Sequence, residues 1–464
     1  MVQHHQDSEI FRSELNKKIM LSRDEIFAIL LKTLSYSDGD QCEALIISNS
    51  NALTRYSNSV IHQNVLENDA GLFVRTVKGK KTGTAISNSF SPDDLKRTVK
   101  ISSQICDVSE ENPDFRSLPI SNHIMSEKLV CEKTLNFAPI DRAKHIKKFT
   151  EKADKFGLST AGTFSSGLYQ IGILNSLGIN AYFETTRAKF VAMALENENS
   201  GYASTSSYSV DLLDIEKKSD IAIKKCMESR NPVEIKPGKY KVALEKQAVN
   251  DIIKLFSYTQ FGALAKQEGR SMMAENIGKK IMSEKFTIYD DGSAKEGLYF
   301  PIDFEGILKE KVVLVDKGEA KNVVHDSLSA ARDNVKSTGH ALPPGNSGNP
   351  YPLNIFLDGG EKSENEIFSN IEDGLLITRF HYLNPFLNLK TALFTGTTRD
   401  GTFIIKNGKI SKPVKNLRFT QSMIEAFSNI EDLSLETEIF NDGSFFTLSV
   451  PSMVLNNFNF SGNL

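Results

Sequence analysis

Cysteine is scarce in this sequence, with four residues among 464 and none beyond position 226. The four are Cys42, Cys106, Cys131 and Cys226. Their spacing matches no zinc-binding module, and the chain is much longer than the small domains that disulfides stabilise. We therefore expect free thiols in a reducing compartment, and the second half of the chain has no cysteine to serve as a ligand or a nucleophile.

Long apolar runs are also missing. The first residues, MVQHHQDSEIFRSELNKK, lack the apolar core of a secretory signal peptide. No stretch approaches the roughly 20 apolar residues that a membrane span needs. We expect residues 1–20 to form a flexible leader, and we expect a cytoplasmic protein with no membrane partner.

Neither charge is in clear excess. The formal net charge is −3, from 55 Lys and Arg against 58 Asp and Glu. A protein that binds nucleic acid directly normally carries a basic excess or a basic stripe on its surface. We therefore expect no direct nucleic-acid partner.

What is present is an ordinary globular composition, with 40% hydrophobic and 24% charged residues. Such a chain can bury a sizeable core, and its length suggests two or three domains. Asn231-Pro232 and Lys236-Pro237-Gly238 interrupt the pattern of helices and strands. We predict an α+β fold with an N-terminal domain over 21–235 and a C-terminal domain over 236–464. Each domain should contain mainly antiparallel sheets flanked by helices.

In the first half, helices alternate with groups of short strands. Ser22 and Glu25 form a capping-box pattern at the start of one helix, and a second helix is predicted over Asp141–Lys155. Short apolar runs separated by Asn, Gly and Ser predict two antiparallel meanders. Their strands are Ala44–Ser48, Leu53–Tyr56, Val60–Leu66, Gly71–Val77 and Gly83–Ser87, then Leu158–Ser165, Leu168–Asn175, Asn180–Leu195 and Ser200–Tyr208.

In the second half, a strand at Lys239–Leu244 should lead into a helix over Lys246–Tyr258. Two hairpins are predicted to turn at Lys317-Gly318 and at Asn407-Gly408, and Asn-Gly suits a type I′ turn. The segment 337–352, STGHALPPGNSGNPYP, reads as a long loop. Loops of this length are uncommon and are often functional or disordered.

Several stretches of the sequence, in order, form a recognisable series. The first half contains LTRYSNSVIHQNVLENDAGLFVRTVKGKKTG at Leu53–Gly83. The second half contains PGKYKVALEKQAV at Pro237–Val249 and IYDDGSAKEGLYFPIDFEGI at Ile288–Ile307. It continues with RFHYLNP at Arg379–Pro385 and TGTTRDGTFIIKNGKISKPVKNLRFTQS at Thr395–Ser422. These stretches resemble the TldD/PmbA family of peptidase and modulator-of-gyrase proteins.

The resemblance implies a two-domain α+β architecture and a dimer that encloses a chamber accessible to peptides. It also implies that a metal-bearing subunit of the family carries His-Glu-x-x-x-His on the helix after strand Lys239–Leu244, and a cysteine late in its chain. Two neutral imidazoles can hold Zn²⁺, and the glutamate can activate a metal-bound water.

In this chain, other residues stand at the motif positions. Lys246 and Asp251 replace the two histidines, Gln247 replaces the glutamate, and the late cysteine is missing. A lysine repels a cation, and a glutamine cannot act as a general base. The resemblance therefore implies a PmbA/TldE-type subunit with no cofactor of its own, with zinc expected only in a TldD-type partner. It implies a homodimer, or a heterodimer with that partner, and a peptide substrate.

Arg379, His381 and Tyr382 are catalytic candidates at the end of a predicted strand. Histidine transfers protons near neutral pH, and the other two can bind peptide carbonyls or carboxylates. The alternative is a buried, hydrogen-bonded cluster that fixes the following loop.

Three further residues are candidates for lining a substrate channel. His340 lies in the 337–352 loop, and Arg399 lies in a predicted turn, Thr398–Gly401, between two short strands. Arg418 could bind a carboxylate. The alternatives are a structural histidine, a structural turn and a local ion pair.

Three functions stay open on the sequence alone. The first is a non-metal subunit of a cytosolic TldD/TldE-type metallopeptidase complex that degrades or matures peptides or unfolded segments. The second is a stand-alone peptidase or hydrolase that uses His381 with Tyr382 or Arg379. The third is a non-enzymatic peptide-binding protein, including the gyrase-modulating role that gave the family one of its names.

Overall fold

The structure is a computed structural model that describes residues 20–121, 124–295, 299–345, 350–441 and 445–463. All but the last residue of the predicted leader, 1–20, lies outside this range. Within it, the chain forms a mixed α+β fold with two sheets flanked by helices, as the sequence predicts.

The first half contains helices and strands in the following order: α1 (Arg23–Leu34), β1 (Gln41–Ser57), β2 (Val60–Lys78), β3 (Lys81–Ser87), α2 (Pro92–Val108), β4 (Ile124–Leu129), α3 (Glu132–Leu135), α4 (Pro139–Asp154), β5 (Ser159–Asn175), β6 (Asn180–Glu196), β7 (Asn199–Ser207) and α5 (Ile215–Glu228).

The second half continues with β8 (Gly238–Leu244), α6 (Lys246–Gln260), α7 (Ala263–Gln267), α8 (Met273–Asn276), β9 (Ile288–Asp290), β10 (Val312–Asp316), β11 (Glu319–Ala320), α9 (Ser327–Asp333), β12 (Asn354–Leu357), α10 (Glu364–Ser369), β13 (Asp373–Asn388), β14 (Leu393–Lys406), β15 (Lys409–Pro413), β16 (Leu417–Ser422), α11 (Met423–Ser428), β17 (Ile430–Asn441) and β18 (Thr447–Asn463).

The first sheet has the strand order β3-β2-β1-β5-β6-β4, with β7 also paired to β6. Its strands are antiparallel except for β4, which runs parallel to β6. The prediction of short meander strands was wrong, because β1, β2 and β5 are each continuous. Polar Asn49 and Asn51 do not interrupt β1, since the ladders to β2 and β5 both continue through them.

Helix α2 lies very close to β3, and Gly83 permits this approach. A Cβ atom at Gly83 would lie 2.2 Å from the backbone oxygen of Ser102 and 2.3 Å from the backbone nitrogen of Cys106. Ser102 Oγ also donates to Gly83 O at 2.8 Å. The helix and the strand are therefore in direct backbone contact.

We expect Gly83→Ala to lower the free energy of unfolding by about 2 kcal/mol, because α2 must move off β3 to admit the methyl group. The urea midpoint measures this. Gly462→Ala is the matched control, since a Cβ there meets nothing within 4 Å. Equal midpoints for the two variants would contradict the proposed close contact.

Five strands of the second sheet form a closed ring. β8 pairs with β13, β13 with β14, β14 with β16, β16 with β18, and β18 pairs again with β8. Only the β8–β13 contact in this ring is parallel. Phe419 packs against Phe380 and Phe458, with ring centroids 4.9 and 5.2 Å apart. Closure leaves these strands without a free edge along their paired lengths.

Both predicted hairpins are present. Asn407 and Gly408 have φ of 50° and 72°, as a type I′ turn requires. The predicted turn at Thr398–Gly401 was wrong, because these residues lie inside the continuous strand β14. There the ladder to β13 shifts between Ile377 and Arg379, and Asp400 adopts a φ of 57°. The segment is therefore a β-bulge. It changes the direction of the Asp400 side chain relative to its neighbours in β14.

The two sheets share one apolar core, which includes Ile171 and Phe183 of the first and Val242 and Phe256 of the second half. A buried ion cluster lies at the same junction. Arg75 Nη2 lies 3.0 Å from a carboxylate oxygen of Glu43 and 3.0 Å from one of Glu305. The second half of the chain is thus tied to β1 and β2 by charge as well as by apolar packing.

The described parts of the 337–352 loop, residues 337–345 and 350–352, lie against other elements. Gly345 faces Thr84 and Ile86 of β3, with a Cβ at that glycine 3.6 and 3.9 Å from their methyl groups. This loop therefore contacts the first sheet. No helix in the described part of the chain is both long and apolar enough to cross a bilayer.

Candidate functional site

The start of helix α6 carries an ion pair. Lys246 Nζ contacts Glu364 Oε2 of α10, and the lysine side chain is 16% exposed. Ser452 Oγ donates to the same carboxylate oxygen at 2.5 Å. Burial raises the pKa of Glu364, but Lys246 and Ser452 outweigh this effect and hold the pKa below its usual value. The ammonium group of Lys246 is therefore already committed to a carboxylate partner.

One turn further along the same helix, Asp251 connects three elements. Its Oδ1 accepts from Gln247 Nε2 at 2.8 Å, and its Oδ2 accepts from the backbone N–H of Phe380 in β13 at 3.0 Å. Gln247 Oε1 accepts in turn from Ser204 Oγ of β7 at 3.2 Å. Burial raises the pKa of Asp251 to about 6, although these hydrogen bonds act in the opposite direction.

A divalent cation does not fit this set of groups. Lys246 is an ammonium, the amide of Gln247 is hydrogen-bonded at both ends, and both oxygens of Asp251 accept hydrogen bonds. Within the described ranges, no group of three or more His, Cys, Asp or Glu side chains is arranged to hold a metal ion. The polar groups at the start of α6 instead form ion pairs and hydrogen bonds with protein partners.

Four alternate residues of β7 reach across to the second half of the chain, and we call them the β7 row: Ser200, Tyr202, Ser204 and Ser206. Ser200 Oγ donates to Asp400, the Tyr202 ring lies 4.1 Å from the guanidinium carbon of Arg379, Ser204 contacts Gln247, and Ser206 Oγ accepts from Asn441 N at 3.0 Å. Successive side chains of a strand alternate between faces, so residues two apart form one line. The β7 row therefore links the first sheet to the start of α6.

The three predicted catalytic residues lie in different environments. Arg379 is bound to buried Asp400 through Nε and stacks on Tyr202. Tyr382 is 80% exposed and adopts a φ of 49°. His381 is half-buried, and its Nδ1 has no hydrogen-bond partner within the described residues. Burial, followed by the charges of Arg379 and Arg399, lowers the pKa of His381.

Two of the channel candidates lie on the same face as this cluster. The register pairs Arg379 with Arg399, His381 with Thr397, and Thr397 with Arg418. Paired residues point to one side of a sheet, so β13, β14 and β16 place their basic side chains on a common face. Arg399 is 46% exposed and 4.0 Å from Asp400, and Arg418 is exposed.

The expectation for His340 was wrong. Its side chain is fully buried, with Nε2 2.8 Å from Asp290 Oδ1 and Nδ1 3.0 Å from Thr338 Oγ1. Burial, opposed by the charge of Asp290, lowers the pKa of His340. A ring enclosed in this way is structural and does not line a channel. The Gly- and Pro-rich loop around it suggested exposure, but Asp290 and Thr338 hold the ring inside.

Two clefts flank the β7 row. One, of about 810 Å³, is lined by Thr205–Tyr208 of the β7 end, Lys246 and Glu364, and Glu436–Ile439 of β17. The other, of about 600 Å³, lies beside Ser200 and Asp400. Within the described structure, β7 pairs only with β6. β17 pairs with β18 and also bridges from Ser434 to Lys362, so its second edge lacks a described partner strand only beyond Leu435. Two strands with a free edge therefore contribute to the larger cleft.

Two domain models of one family match this chain. The PmbA/TldA metallopeptidase C-terminal domain matches residues 237–462, and PmbA/TldA metallopeptidase domain 1 matches residues 42–106. Together they cover more than half of the chain. The chain belongs to the TldD/PmbA family.

Relatives in this family have similar lengths. A metalloprotease TldD homolog of Buchnera aphidicola is 24% identical over 457 residues, covering 88% of this chain and 89% of the relative. The metalloprotease PmbA of Escherichia coli O157:H7 is 21% identical, covering 96% and 97%. The crystal structure of TldE from Thermococcus kodakarensis has a TM-score of 0.82 at 18% identity, covering 94% of this chain and all of that chain. This structural likeness supports the two-domain TldD/PmbA fold.

The sequence singled out Lys246, Gln247 and Asp251 on α6 but gave no sign of the residues that contact them. Glu364 lies 118 positions from Lys246, and Asp400 lies 200 positions from Ser200. No local pattern links such pairs. The alternation of polar residues in SGYASTSS, residues 200–207, was the one available signal, since it predicts a strand with one polar face.

Proposed function

We propose that this chain is a PmbA/TldE-type subunit that lacks metal chemistry of its own and works with a metal-bearing TldD-type subunit in a cytoplasmic peptidase. The observation that carries the proposal is the state of α6. Lys246 is neutralised by Glu364, and Gln247 is bound to Asp251. These pairs fill the positions at which the family's metal-bearing subunit has two ligands and a general base.

The role we propose for the chain in such a complex is to hold an extended peptide. The larger cleft is bordered by β7 and by the part of β17 beyond Leu435, and no described strand pairs with the second edge of either. An extended peptide can add to such an edge through main-chain hydrogen bonds, which tolerate many sequences. Ion pairs such as Lys218–Glu438 line the same cleft. Acidic and basic side chains along the cleft suit a peptide that itself carries both acidic and basic residues.

The test is a peptidase assay of three samples: the pure chain, a pure metal-bearing family member, and the mixture. We expect the chain alone to show no zinc-dependent hydrolysis of an unfolded peptide. We expect the mixture to exceed the metal-bearing member alone at least several-fold, and a chelator to abolish this activity. Robust zinc-dependent turnover by the pure chain would contradict the proposal, as would a mixture no more active than its metal-bearing member.

One observation supports a second candidate, a stand-alone hydrolase. His381 has a lowered pKa and a ring nitrogen without a partner within the described residues, so a neutral imidazole is available near the exposed Arg399. If a pure preparation hydrolyses peptides without added metal, His381→Gln should abolish that activity. Unchanged turnover would remove this histidine from the mechanism.

A further inference from the structure

The outer face of the closed ring in the second sheet carries basic side chains. Phe380 and Phe419 point into the ring, where their centroids are 4.9 Å apart. Successive side chains of a strand alternate between faces. Arg379 and His381, on either side of Phe380, and Arg418, next to Phe419, therefore point outward.

Arg399 of β14 lies at the centre of these basic residues. It pairs with Arg379, and Thr397, two positions before it, pairs with both His381 and Arg418. The ladders are regular at these pairs. Side chains in such diagonal positions lie about 7–8 Å apart. Arg399 therefore has His381 diagonally on one neighbouring strand and Arg418 diagonally on the other.

The only acidic group beside these residues in the described part of the chain is already bound. Asp400 is fully paired with Nε of Arg379, and it lies 4.0 Å from Nε of Arg399. Arg418 has no Asp or Glu within ion-pair distance among the residues that the structure describes. Burial and the charges of Arg379 and Arg399 lower the pKa of His381, so its imidazole is neutral at pH 7. Two guanidinium groups, those of Arg399 and Arg418, are thus available to an anion.

Both guanidinium groups are accessible. Arg399 and Arg418 are exposed. The residue opposite Arg418 in β18 is Gly462, and a Cβ atom there would meet nothing within 4 Å. A ligand can therefore approach Arg418 from the β18 side without displacing a neighbouring side chain.

Exposed aromatic side chains follow the basic residues along β13. Tyr382 is 80% exposed, with its ring centroid 4.2 Å from that of His381, and Phe386 is 62% exposed. A ligand with both a carboxylate and apolar groups can contact both kinds of side chain, and a peptide has this combination. A nucleic acid fits less well, because the net charge of −3 repels an extended row of phosphates.

We infer that Arg399 and Arg418 form a binding site for a carboxylate group of a peptide. The planar guanidinium of arginine matches the two oxygens of a carboxylate. The α-carboxylate at a chain end and the side chain of Asp or Glu both supply this group. The choice of a peptide as ligand rests on the proposed function, whereas the two free guanidinium groups do not depend on it.

Fluorescence anisotropy with the pure wild-type chain tests the inference. The probes are a short peptide of Gly, Ser and Leu with an uncharged fluorophore at its N-terminus and a free C-terminus, the same peptide amidated, and the amidated peptide with one internal Glu. We expect the free acid to bind about tenfold more tightly than the amide. Equal affinities for all three peptides would overturn the inference.

The third peptide identifies the source of the carboxylate. If it binds as tightly as the free acid, the site accepts acidic side chains. If it binds as weakly as the amide, the site recognises the end of a chain. A short oligothymidylate that binds more tightly than the free acid and displaces it would overturn the inference in favour of a nucleic-acid site.

Substitutions locate the site. Arg399→Gln and Arg418→Gln should each remove most of the preference for the free acid, with an unchanged circular dichroism spectrum. Arg55→Gln, at an exposed arginine of β1, is the matched control and should keep the preference. A preference that survives in both Arg399→Gln and Arg418→Gln would show that the carboxylate binds elsewhere.

A carboxylate added by substitution should compete with the ligand. Gly462→Glu places an acidic side chain opposite Arg418 and should weaken binding of the free acid. Gly462→Gln adds a side chain of the same size without the charge and should bind more tightly than Gly462→Glu. Equal affinities for these two variants would contradict the inference.

The binding measurement and the peptidase assay fail separately. Binding is measured on the pure chain, without a partner or turnover. Loss of the carboxylate preference would leave the result of the mixed peptidase assay unaffected. An inactive mixture, with the preference intact in the pure chain, would overturn the proposed function alone.

Discussion

Arg75→Met should lower the free energy of unfolding by about 3–5 kcal/mol. Arg75 is the cation between Glu43 and Glu305, whose residues are 0% and 5% exposed. Removing it leaves two buried carboxylates without compensation at the junction of the two sheets. Such groups must either lose their charge or pull the junction apart.

Urea unfolding at pH 8 measures this effect. Arg55→Met, at an exposed position on β1, is the control and should change stability by less than about 0.5 kcal/mol. Adding Glu43→Gln to Arg75→Met should restore part of the loss, because only one buried carboxylate then remains. If Arg75→Met behaves like Arg55→Met, the ion cluster does not hold the junction together.

The stability of the wild-type chain should fall as the pH rises from about 5 to 8. Burial, reinforced by Glu305 and opposed by Arg75, raises the pKa of Glu43 from 4.5 to about 7. Between these values the folded chain binds a proton that the unfolded chain has released. The resulting stabilisation is complete below the unfolded pKa and is lost as the pH passes through the folded pKa. For Glu43 alone it amounts to about 3 kcal/mol.

Glu43→Gln isolates this contribution, since glutamine keeps the size of the side chain and has no proton to exchange. The variant should lose about 3 kcal/mol less than the wild type between pH 5 and pH 8. Burial and Glu305 also raise the pKa of Asp303, so some dependence on pH should persist. Glu67→Gln, at an exposed position, should follow the wild type. Parallel curves for wild type and Glu43→Gln would show that Glu43 is charged throughout.

Features with a local cause could be predicted from the sequence. The capping box of Ser22 and Glu25 is present at the start of α1, and Asn407-Gly408 forms its turn. Both depend on residues no more than three positions apart. The same holds for helix α6, whose apolar residues recur at helical spacing and are buried.

Features that depend on distant strands could not be predicted. Asn49 and Asn51 suggested breaks, yet ladders on both sides hold them in β1. Thr398–Gly401 suggested a turn, yet Asp400 is held inside β14 by Arg379 and Ser200. His340 was misplaced for a similar reason, since Asp290, its partner, is 50 positions away. In each case, tertiary contacts overrode a local signal.

The candidate site shows the same contrast between local features, which the sequence predicts, and contacts between distant residues, which it does not. The resemblance pointed to positions 246, 247 and 251, which lie on one helix. It could not show that Glu364 neutralises Lys246 or that the β7 row reaches Gln247, because those partners come from other parts of the chain. The chemistry of the side chains was readable from the sequence, and their pairing was not.

The closed ring in the second sheet has a consequence for the order in which the chain acquires its structure. Leu244 of β8 pairs with Met453 of β18, and 209 positions separate them. During synthesis the first sheet is complete once β7 has emerged, whereas β8 must wait for the last strand described. Contacts between such distant residues form slowly, because a long loop must close first. We expect the ring to form only after β18 has emerged from the ribosome, with the first sheet already present to receive it.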